Sequence, residues 1–403
     1  MNEIFDVGIV GGGVAGAFAT YKIAKEYKDA KIVLIDLGAA PRKRKRQLDG
    51  WMGSLPSSDG KLYLNDMDKV SEIIGSKKVK SYNAKFNSIL ENVGDFKLIR
   101  DRSPSVSMEK KIKKFEYECK LNDHIQLYPK DIHSLSKFTS NYIEDCKNVM
   151  FSFNNEVYNI TKQKDTFHIQ THDGEFQCKK LLMAVGRTGW RWVSNLYKDL
   201  GIIENNDSAR FGIRVEMPSS YLKDFNKSNC TLARGKVEIG PLSWFGTVIP
   251  EDHVDLAISA FRSNENRWKS DNVSFSLIGN IPAENSGIEQ TDRIGRLTFI
   301  LTNDRIIKEK VSAIINKKSK ISIIPEYNWL ASELQSLSGL MPDLLTKAYF
   351  HVPTILPLAP RINIGDNLET EVTGMYVAGE SAGVGGILSA ALMGMAAADS
   401  MLK

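Results

Sequence analysis

The sequence predicts an α/β fold in which a mostly parallel sheet of the βαβ kind, with a β-meander, is interleaved with a second domain of α+β class. Three observations predict it. An apolar run at residues 5–10 (FDVGIV) leads into GGGVAG at Gly11 to Gly16 and then into a helix-patterned segment to about Tyr27. A second apolar run, KIVLID, ends at Asp36. Near the other end, TGMYVAGESAGVGGILSAALMGMAAADSML reads as strand, glycine-rich turn and helix of small residues.

The opening segment follows the order of a Rossmann dinucleotide fingerprint, which needs strand, glycine turn, helix, strand and a closing acid. Gly11 permits the sharp turn, Gly13 lets a pyrophosphate approach the backbone, and Gly16 lets the helix lie against the strand. The first helical residues, Val14 and Ala15, then offer free N–H groups and a partial positive charge to phosphates. Asp36 falls twenty residues after Gly16. A carboxylate there is placed to accept both hydrogen bonds of an adenosine ribose, and it would repel a 2′-phosphate, which argues against NADP in this slot.

Asp36 is followed by Leu37 and a loop whose basic run, Arg42 to Arg46, is the strongest local charge feature in the chain. Such a run reads first as a solvated loop, and more sharply as one or two side chains reaching a cofactor or a polyanionic partner.

Residues 149–160 (VMFSFNNEVYNI) and 166–171 (TFHIQT) alternate as paired strands. The turn signal HDG at His172 to Gly174 leads to a further strand and to LLMAVGRTG at Leu181 to Gly189. That segment reads as a buried strand breaking into a glycine turn at Ala184 to Gly186. In the closing segment a strand Met375–Ala378 would deliver Glu380 toward the ribityl or phosphate region of a flavin. The helix after it would point its positive end at the flavin pyrimidine. Gly386, Ser389, Ala390, Gly394 and Ala397 are spaced to let that helix press on the N-terminal sheet.

Taken together the two ends predict a Rossmann-type FAD-binding domain made of residues 1–64, 131–206 and 356–403. Residues 65–130, rich in Lys and Asn, read as an insertion. Residues 207–355, with strand patterns such as ARFGIRVEM and HVDLAISAF, read as an α+β substrate domain. No second GxGxxG follows a strand, so no separate NAD(P) domain is expected.

With 403 residues, 42% hydrophobic and 25% charged, the chain has the composition of a globular protein able to bury two cores. A net charge of +5 is too small for its length to mark a dedicated polyanion binder. Cys119, Cys146, Cys178 and Cys230 make no CxxC pair, so neither a metal site nor a vicinal disulfide is predicted, and reduced thiols are expected. An acidic start without a signal-like apolar core, and a Gly/Ala-rich stretch at 383–398 too short to span a bilayer, lead to the expectation of a cytoplasmic protein with no membrane span.

Four stretches carry a resemblance: SDGKL at Ser58 to Leu62, FSFNNEV at Phe151 to Val157, ARFGIRVE at Ala209 to Glu216 and GESAGVGGI at Gly379 to Ile387. In them the chain resembles, nearly end to end, the largely uncharacterised FAD-dependent dehydrogenases among the glutathione-reductase-like two-domain flavoproteins. The resemblance implies FAD held by Gly11, Gly13, Gly16 and Asp36, with the GESAGVGGI turn lining the flavin. It further implies that the backbone at Val157 faces the adenine and that Gly53 to Gly60 pass near the isoalloxazine. The chain departs from the family where a Cys-Pro-Gly-Gly loop is usual, reading GPLSWFGTVIP instead, so Trp244 and Phe245 reshape the pocket if that loop touches the reactive face. The family's longer N-terminus is also missing.

The candidate cofactor contacts are therefore Gly11, Gly13, Val14, Ala15, Gly16, Asp36, Leu37, Gly53, Val157, Ala184, Gly186, Gly379, Glu380, Gly385, Gly386 and Ile387. FAD carries the electron chemistry, and the expected reaction is oxidation or reduction of a small organic substrate at a C–N or C–C bond near flavin N5. Candidate catalytic contacts are Ser58, Asp59 and Lys61 in the SDGKL turn and Arg262 in the substrate domain. Arg210 and Arg214 are candidate polar contacts as well, and for each of the three arginines a surface ion pair or strand-edge charge is the commoner reading. His253 and His351 titrate in the useful range but lie in no motif, and Cys230 has no activating context. The electron donor or acceptor is not specified. Two other readings remain open. One is a flavoprotein acting on nucleic acid or another macromolecule, suggested by PRKRKR, KKIKK at Lys110 to Lys114 and NKKSK at Asn316 to Lys320. The other is a non-catalytic FAD binder or sensor.

Overall fold

Apolar residues run almost unbroken along β1 (Ile4–Val10) and β2 (Ile32–Asp36). Only strands covered on both faces tolerate that pattern, and β2 is buried at every position. Between them lies α1 (Val14–Glu26), whose residues are buried from Val14 through Ala24. The computed structural model describes residues 3–403 except 45–46, 207, 254, 284–285 and 357–360. It divides into two units, each with its own apolar core.

The first unit comprises Met1–Lys97, Ile125–Asn205 and Leu358–Lys403. Further elements complete it: α2 (Ser76–Glu91), α3 (Pro129–Glu144), β3 (Val149–Phe153), β4 (Val157–Gln163), β5 (Thr166–Thr171), β6 (Gly174–Met183), β7 (Met375–Val377) and α4 (Ile387–Leu402). Its seven-stranded sheet runs β3-β2-β1-β6-β5-β4, with β7 also on β6. β3, β2, β1, β6 and β7 are parallel neighbours, whereas β4, β5 and β6 form an antiparallel meander. The long β6 pairs with β5 as far as Cys178 and takes β7 from Leu181 onward. The expected α/β class with a mostly parallel sheet and a meander is what is found.

The second unit comprises Leu98–His124 and Asn206–Pro357. It is an eight-stranded sheet whose long central strands, Ser208–Pro218 and Asn272–Pro282, are antiparallel. Phe211, Ile213 and Val215 join the apolar core of this unit, together with Leu330 and Leu334. Antiparallel strands and helices in one unit give the α+β character expected.

Two sequence expectations differ from the structure. VMFSFNNEVYNI is not one strand: β3 ends at Phe153, Asn154 takes a positive φ, and β4 starts anew at Val157. The break lets β3 extend the parallel layer while β4 enters the meander. Residues 65–130 do not form one insertion. Val79, Tyr82, Phe86, Ile89 and Leu90 on α2 belong to the first core, whereas Glu118–Lys120 pairs with Thr231–Arg234 as an edge of the second sheet. Among the described residues no helix is long and apolar enough to cross a membrane.

One buried ionic cluster ties α1, α2 and α4. Asp399 accepts hydrogen bonds from Tyr27 and Tyr82 at 2.9 Å each and faces Lys22 Nζ at 3.0 Å, with Lys403 Nζ at 2.8 Å. Burial alone would push the Asp399 carboxyl upward. The bonds from Lys403, Lys22 and the two tyrosines outweigh it and hold the group at about 2. A depressed acid stabilises the fold above its unfolded value, about 4, and that stability drains as pH falls through the folded value. Asp399→Asn is expected to cost about 3 kcal/mol in urea unfolding at neutral pH, since Lys22 keeps only Glu26. Its stability should also fall less steeply than the parent's between about pH 5 and pH 2, and equal slopes in the two proteins would contradict the assignment.

Candidate functional site

The glycine turn after β1 does three different jobs. Gly11 takes φ +104°, and a Cβ there would strike the Ala184 carbonyl oxygen at the end of β6. A Cβ on Gly16 would strike the Gly11 carbonyl oxygen, so this position holds α1 against the turn. Gly13 is the exception: a Cβ there would meet only Ala184 O at 3.8 Å and Gly53 Cα at 3.9 Å, and it points into open space. Gly13 is also the N-cap of α1, with no side chain capping it. The first amides of α1 have no intrahelical acceptor, so the open space lies where a helix N-terminus presents N–H groups and partial positive charge.

Gly53 closes one side of this cradle. It takes φ +51°, and its missing Cβ would lie 3.1 Å from Gly13 Cα. Met52 N donates to Gly12 O at 2.8 Å, which fastens the loop carrying Gly53 to the turn. The C-terminal turn meets the same helix: a Cβ on Gly379 would come within 3.5 Å of Ala15 Cβ, and one on Gly394 would collide with the Ala15 carbonyl. The two glycine turns from opposite ends of the sequence therefore meet at Ala15.

Asp36 is buried at the end of β2. Its Oδ2 accepts from Gly12 N at 2.5 Å, and its Oδ1 accepts from Gly38 N at 2.6 Å and Gly50 N at 2.9 Å. Burial pushes the carboxyl upward, and the three amides pull against it. A carboxylate has about four acceptor directions, so about one remains, where the sequence anticipated two bonds to a ribose. Leu37, beside it, is exposed. Asn155 N donates to the Asp36 backbone carbonyl at 3.0 Å, which ties the segment leading into β4, with buried Val157, to the end of β2.

On the far side Glu380 is held by Arg187, Nη2 to Oε1 at 2.9 Å. Gly186 and Gly385 both face this carboxylate; a Cβ on either would lie 3.8–3.9 Å from it. Ser381 Oγ accepts from Val185 N at 3.1 Å, which locks the turn after β6 to the turn before α4. Gly386 caps α4, followed by Ile387, and a Cβ on it would collide with the Asp66 carboxylate. The N-terminus of α4 that the sequence aimed at a flavin ring thus already faces a carboxylate. Arg187, Ser381 and Asp66 were not anticipated. Arg187 is visible in LLMAVGRTG as a cation one residue past the glycine, but Asp66 carries no local signal.

The SDGKL turn is held by its own bonds and by two from residues 126 and 127: Gln126 Nε2 donates to Asp59 O at 2.7 Å and Leu127 N to Gly60 O at 2.8 Å. Ser58 Oγ donates to Leu55 O at 2.8 Å and accepts from Gly60 N at 3.0 Å. Lys61 Nζ lies 3.2 Å from Asp59 Oδ2, with the lysine side chain only 9% exposed. Arg262 belongs to the second unit, where it pairs with Glu265 at 3.6 Å. Arg210 faces Glu238 at 3.6 Å, and Arg214 donates to Ser259 O at 3.2 Å. His253 bonds Glu251 at 3.1 Å, and His351 bonds Glu216 at 3.2 Å. Burial would raise Glu216, but His351 and Lys308 outweigh it and hold the acid at about 2. The Cys119 thiol and burial push Cys230 far up, so it is no nucleophile.

Within the basic run, Arg42 donates to Asn141 and Arg44 turns inward to the carbonyls of Gln47 and Trp51. Arg44 thus closes its own loop. Lys45 and Arg46 lie outside the described residues. KKIKK and NKKSK belong to the second unit, PRKRKR to the first.

No protein-family model matches the chain, and no curated protein matches it. Among solved structures, glycine oxidase from Geobacillus kaustophilus is similar at 12% identity and a TM-score of 0.46, over 99% of this chain and 95% of that one. Halogenase PltM is similar at 13% identity and 0.43, over 97% and 67%. CtdE in complex with FAD is similar at 11% identity and 0.39, over 98% and 83%. At these values the likeness carries no assignment of activity.

The contrast between two glycines is testable without any ligand. Gly13→Ala is expected to fold with a loss of about 1 kcal/mol or less, since the new methyl makes only ordinary contacts, at 3.8 and 3.9 Å. Gly16→Ala should cost about 3 kcal/mol or more, because its Cβ collides with backbone. Similar melting temperatures for the two variants would refute this reading.

Proposed function

We propose that this chain is an FAD-dependent oxidoreductase acting on a small organic substrate at a C–N or C–C bond. The observation that carries the proposal is the open cradle at Gly13, bounded by Gly53 and Ala184 and set on an uncapped helix N-terminus. A pyrophosphate fits such a place because it is anionic, needs several N–H donors and needs a backbone without a side chain. Supporting the dehydrogenase-like two-domain resemblance is the parallel order of β3, β2, β1, β6 and β7, with its meander.

In this reading the amides of Val14, Ala15 and Gly16 hold the pyrophosphate, and Asp36 offers its remaining acceptor direction to the ribose. Val157, Leu37 and Gly186 border the adenosine part. Gly379, Glu380, Gly385 and Ile387 border the ribityl part, with Arg187 neutralising Glu380 so that the acid does not repel the phosphates. When bound, FAD supplies the electron transfer. Lys61, fixed by Asp59, is the cation of the first unit offered to an anionic substrate group. Ser58 shapes the turn that presents Lys61.

The purified protein is expected to show the visible flavin spectrum, or to acquire it on addition of FAD. Gly13→Ala should weaken FAD binding by about tenfold or more, read by flavin fluorescence titration. A colourless protein that takes up no FAD would overturn the proposal. A screen of amines, hydroxy acids and nicotinamide cofactors for flavin bleaching then tests the reaction class. A bound flavin that no donor reduces and oxygen does not reoxidise would mark a non-catalytic binder instead.

A further inference from the structure

The second unit contains a cleft of about 690 Å³ that the candidate cofactor site does not use. Its floor is the aromatic pair Trp244 and Phe245, ring centroids 6.1 Å apart, and its rim carries Arg102, Lys223 and Lys227. The walls add the hydroxyls of Ser219 and Ser220, and among the described residues lining it there is no carboxylate. Three cations around an apolar floor make a site for a flat ring bearing negative charge.

The floor is built rather than incidental. Trp244 Nε1 donates to Ser228 O at 2.6 Å, which fixes the indole. Phe245 is held at φ +61°, a costly conformation for a bulky side chain, by bonds from its N to Asn272 O at 2.7 Å and from Ser270 N to its O at 3.2 Å. Asn226 and Lys227, which also line the cleft, are left-handed too, at φ +51° and +59°. Strain at Phe245, held by the surrounding bonds, points to a shape maintained for a ligand. Asp101 ties the parts together. Its carboxylate accepts from Arg102 N at 2.8 Å, Asn229 N at 2.7 Å and Ser228 Oγ at 3.2 Å, joining the loop of the arginine to the loop that anchors Trp244. Lys227 Nζ already stands over the Phe245 ring at 5.2 Å, so cation and ring share one surface.

We propose that this cleft binds a planar heteroaromatic ring carrying a phosphate, of mononucleotide size. The ring would lie on Phe245 and Trp244, and the phosphate would take charge-assisted bonds from Lys223, Lys227 and Arg102. The volume is within the range of small-molecule sites. The proposal does not depend on the FAD reading.

Isothermal titration with AMP, adenosine, inorganic phosphate and a short single-stranded RNA tests it. AMP is expected to bind saturably and about tenfold or more tightly than adenosine or phosphate alone. Lys223→Gln with Lys227→Gln, both exposed residues, should weaken AMP about tenfold without changing the melting temperature, and Phe245→Leu should weaken adenosine as well as AMP. Gly13→Ala should leave the AMP isotherm unchanged. AMP binding that is no tighter than phosphate, that ignores the double lysine variant, or that disappears in Gly13→Ala would overturn the proposal. RNA binding far more tightly than AMP and lost in the lysine variant would replace the mononucleotide with a strand of nucleic acid.

Discussion

The first unit depends on how closely backbone can approach backbone around α1. Gly16 lets the helix settle on the Gly11 carbonyl, Gly394 lets α4 settle on the Ala15 carbonyl, and Gly11 lets the turn reach Ala184. Each contact is too tight for any Cβ, so the packing is set by missing atoms rather than by side chains that interlock. That is why residues from Val14 to Ala24 are buried on every side although α1 is only 13 residues long. It is also why the two ends of the chain converge on one place. Once helix and strands are pressed together at Gly11 and Gly16, the glycine of this turn left with room is Gly13, and the cradle is what remains over.

Charge within that cradle is largely settled by the protein itself. Asp36 spends three acceptor directions on the amides of Gly12, Gly38 and Gly50, and Glu380 spends its charge on Arg187. A buried carboxylate without such partners would be costly, and with them it also fixes the loops that donate. Asp36 therefore acts first as the fastening between the glycine turn and the loop of residues 38–50. Arg44 works from the same loop, its guanidinium turned to the Trp51 and Gln47 carbonyls, and so a residue that reads as solvated charge serves as a clasp.

The parts legible from sequence were those whose physics is local. The strand, glycine turn, helix and acid at residues 4–36 state their geometry in their order, and the small residues of α4 state that it must be packed closely. What could not be read was long-range pairing. Nothing in KVSEIIGSKKVKSYNAKF says that Tyr82 will meet Asp399, and so residues 65–97 looked like part of an insertion. Asn154 and Asn155 read as strand because their neighbours alternate. Their split follows from β2, whose end takes the Asn155 amide on Asp36 O. Ser58, Asp59 and Lys61 were found as a cluster, but the sequence could not show that Gly60, packed on Leu127, makes Ser58 a turn residue.

The end of α4 shows how one unforeseen contact changes the electrostatics of a site. A helix N-terminus carries about half a positive charge, and the sequence suggested that this charge would face a flavin ring. Gly386 stands at that N-terminus with φ +112°, and its missing side chain makes room for the Asp66 carboxylate, while Ser389 Oγ donates to Asp66 O at 3.0 Å. A carboxylate beside the partial positive charge of a helix N-terminus offsets it. A glycine-rich turn whose sequence suits an anion thus already faces a carboxylate of this same chain, brought there from residue 66 by packing that no local pattern announces.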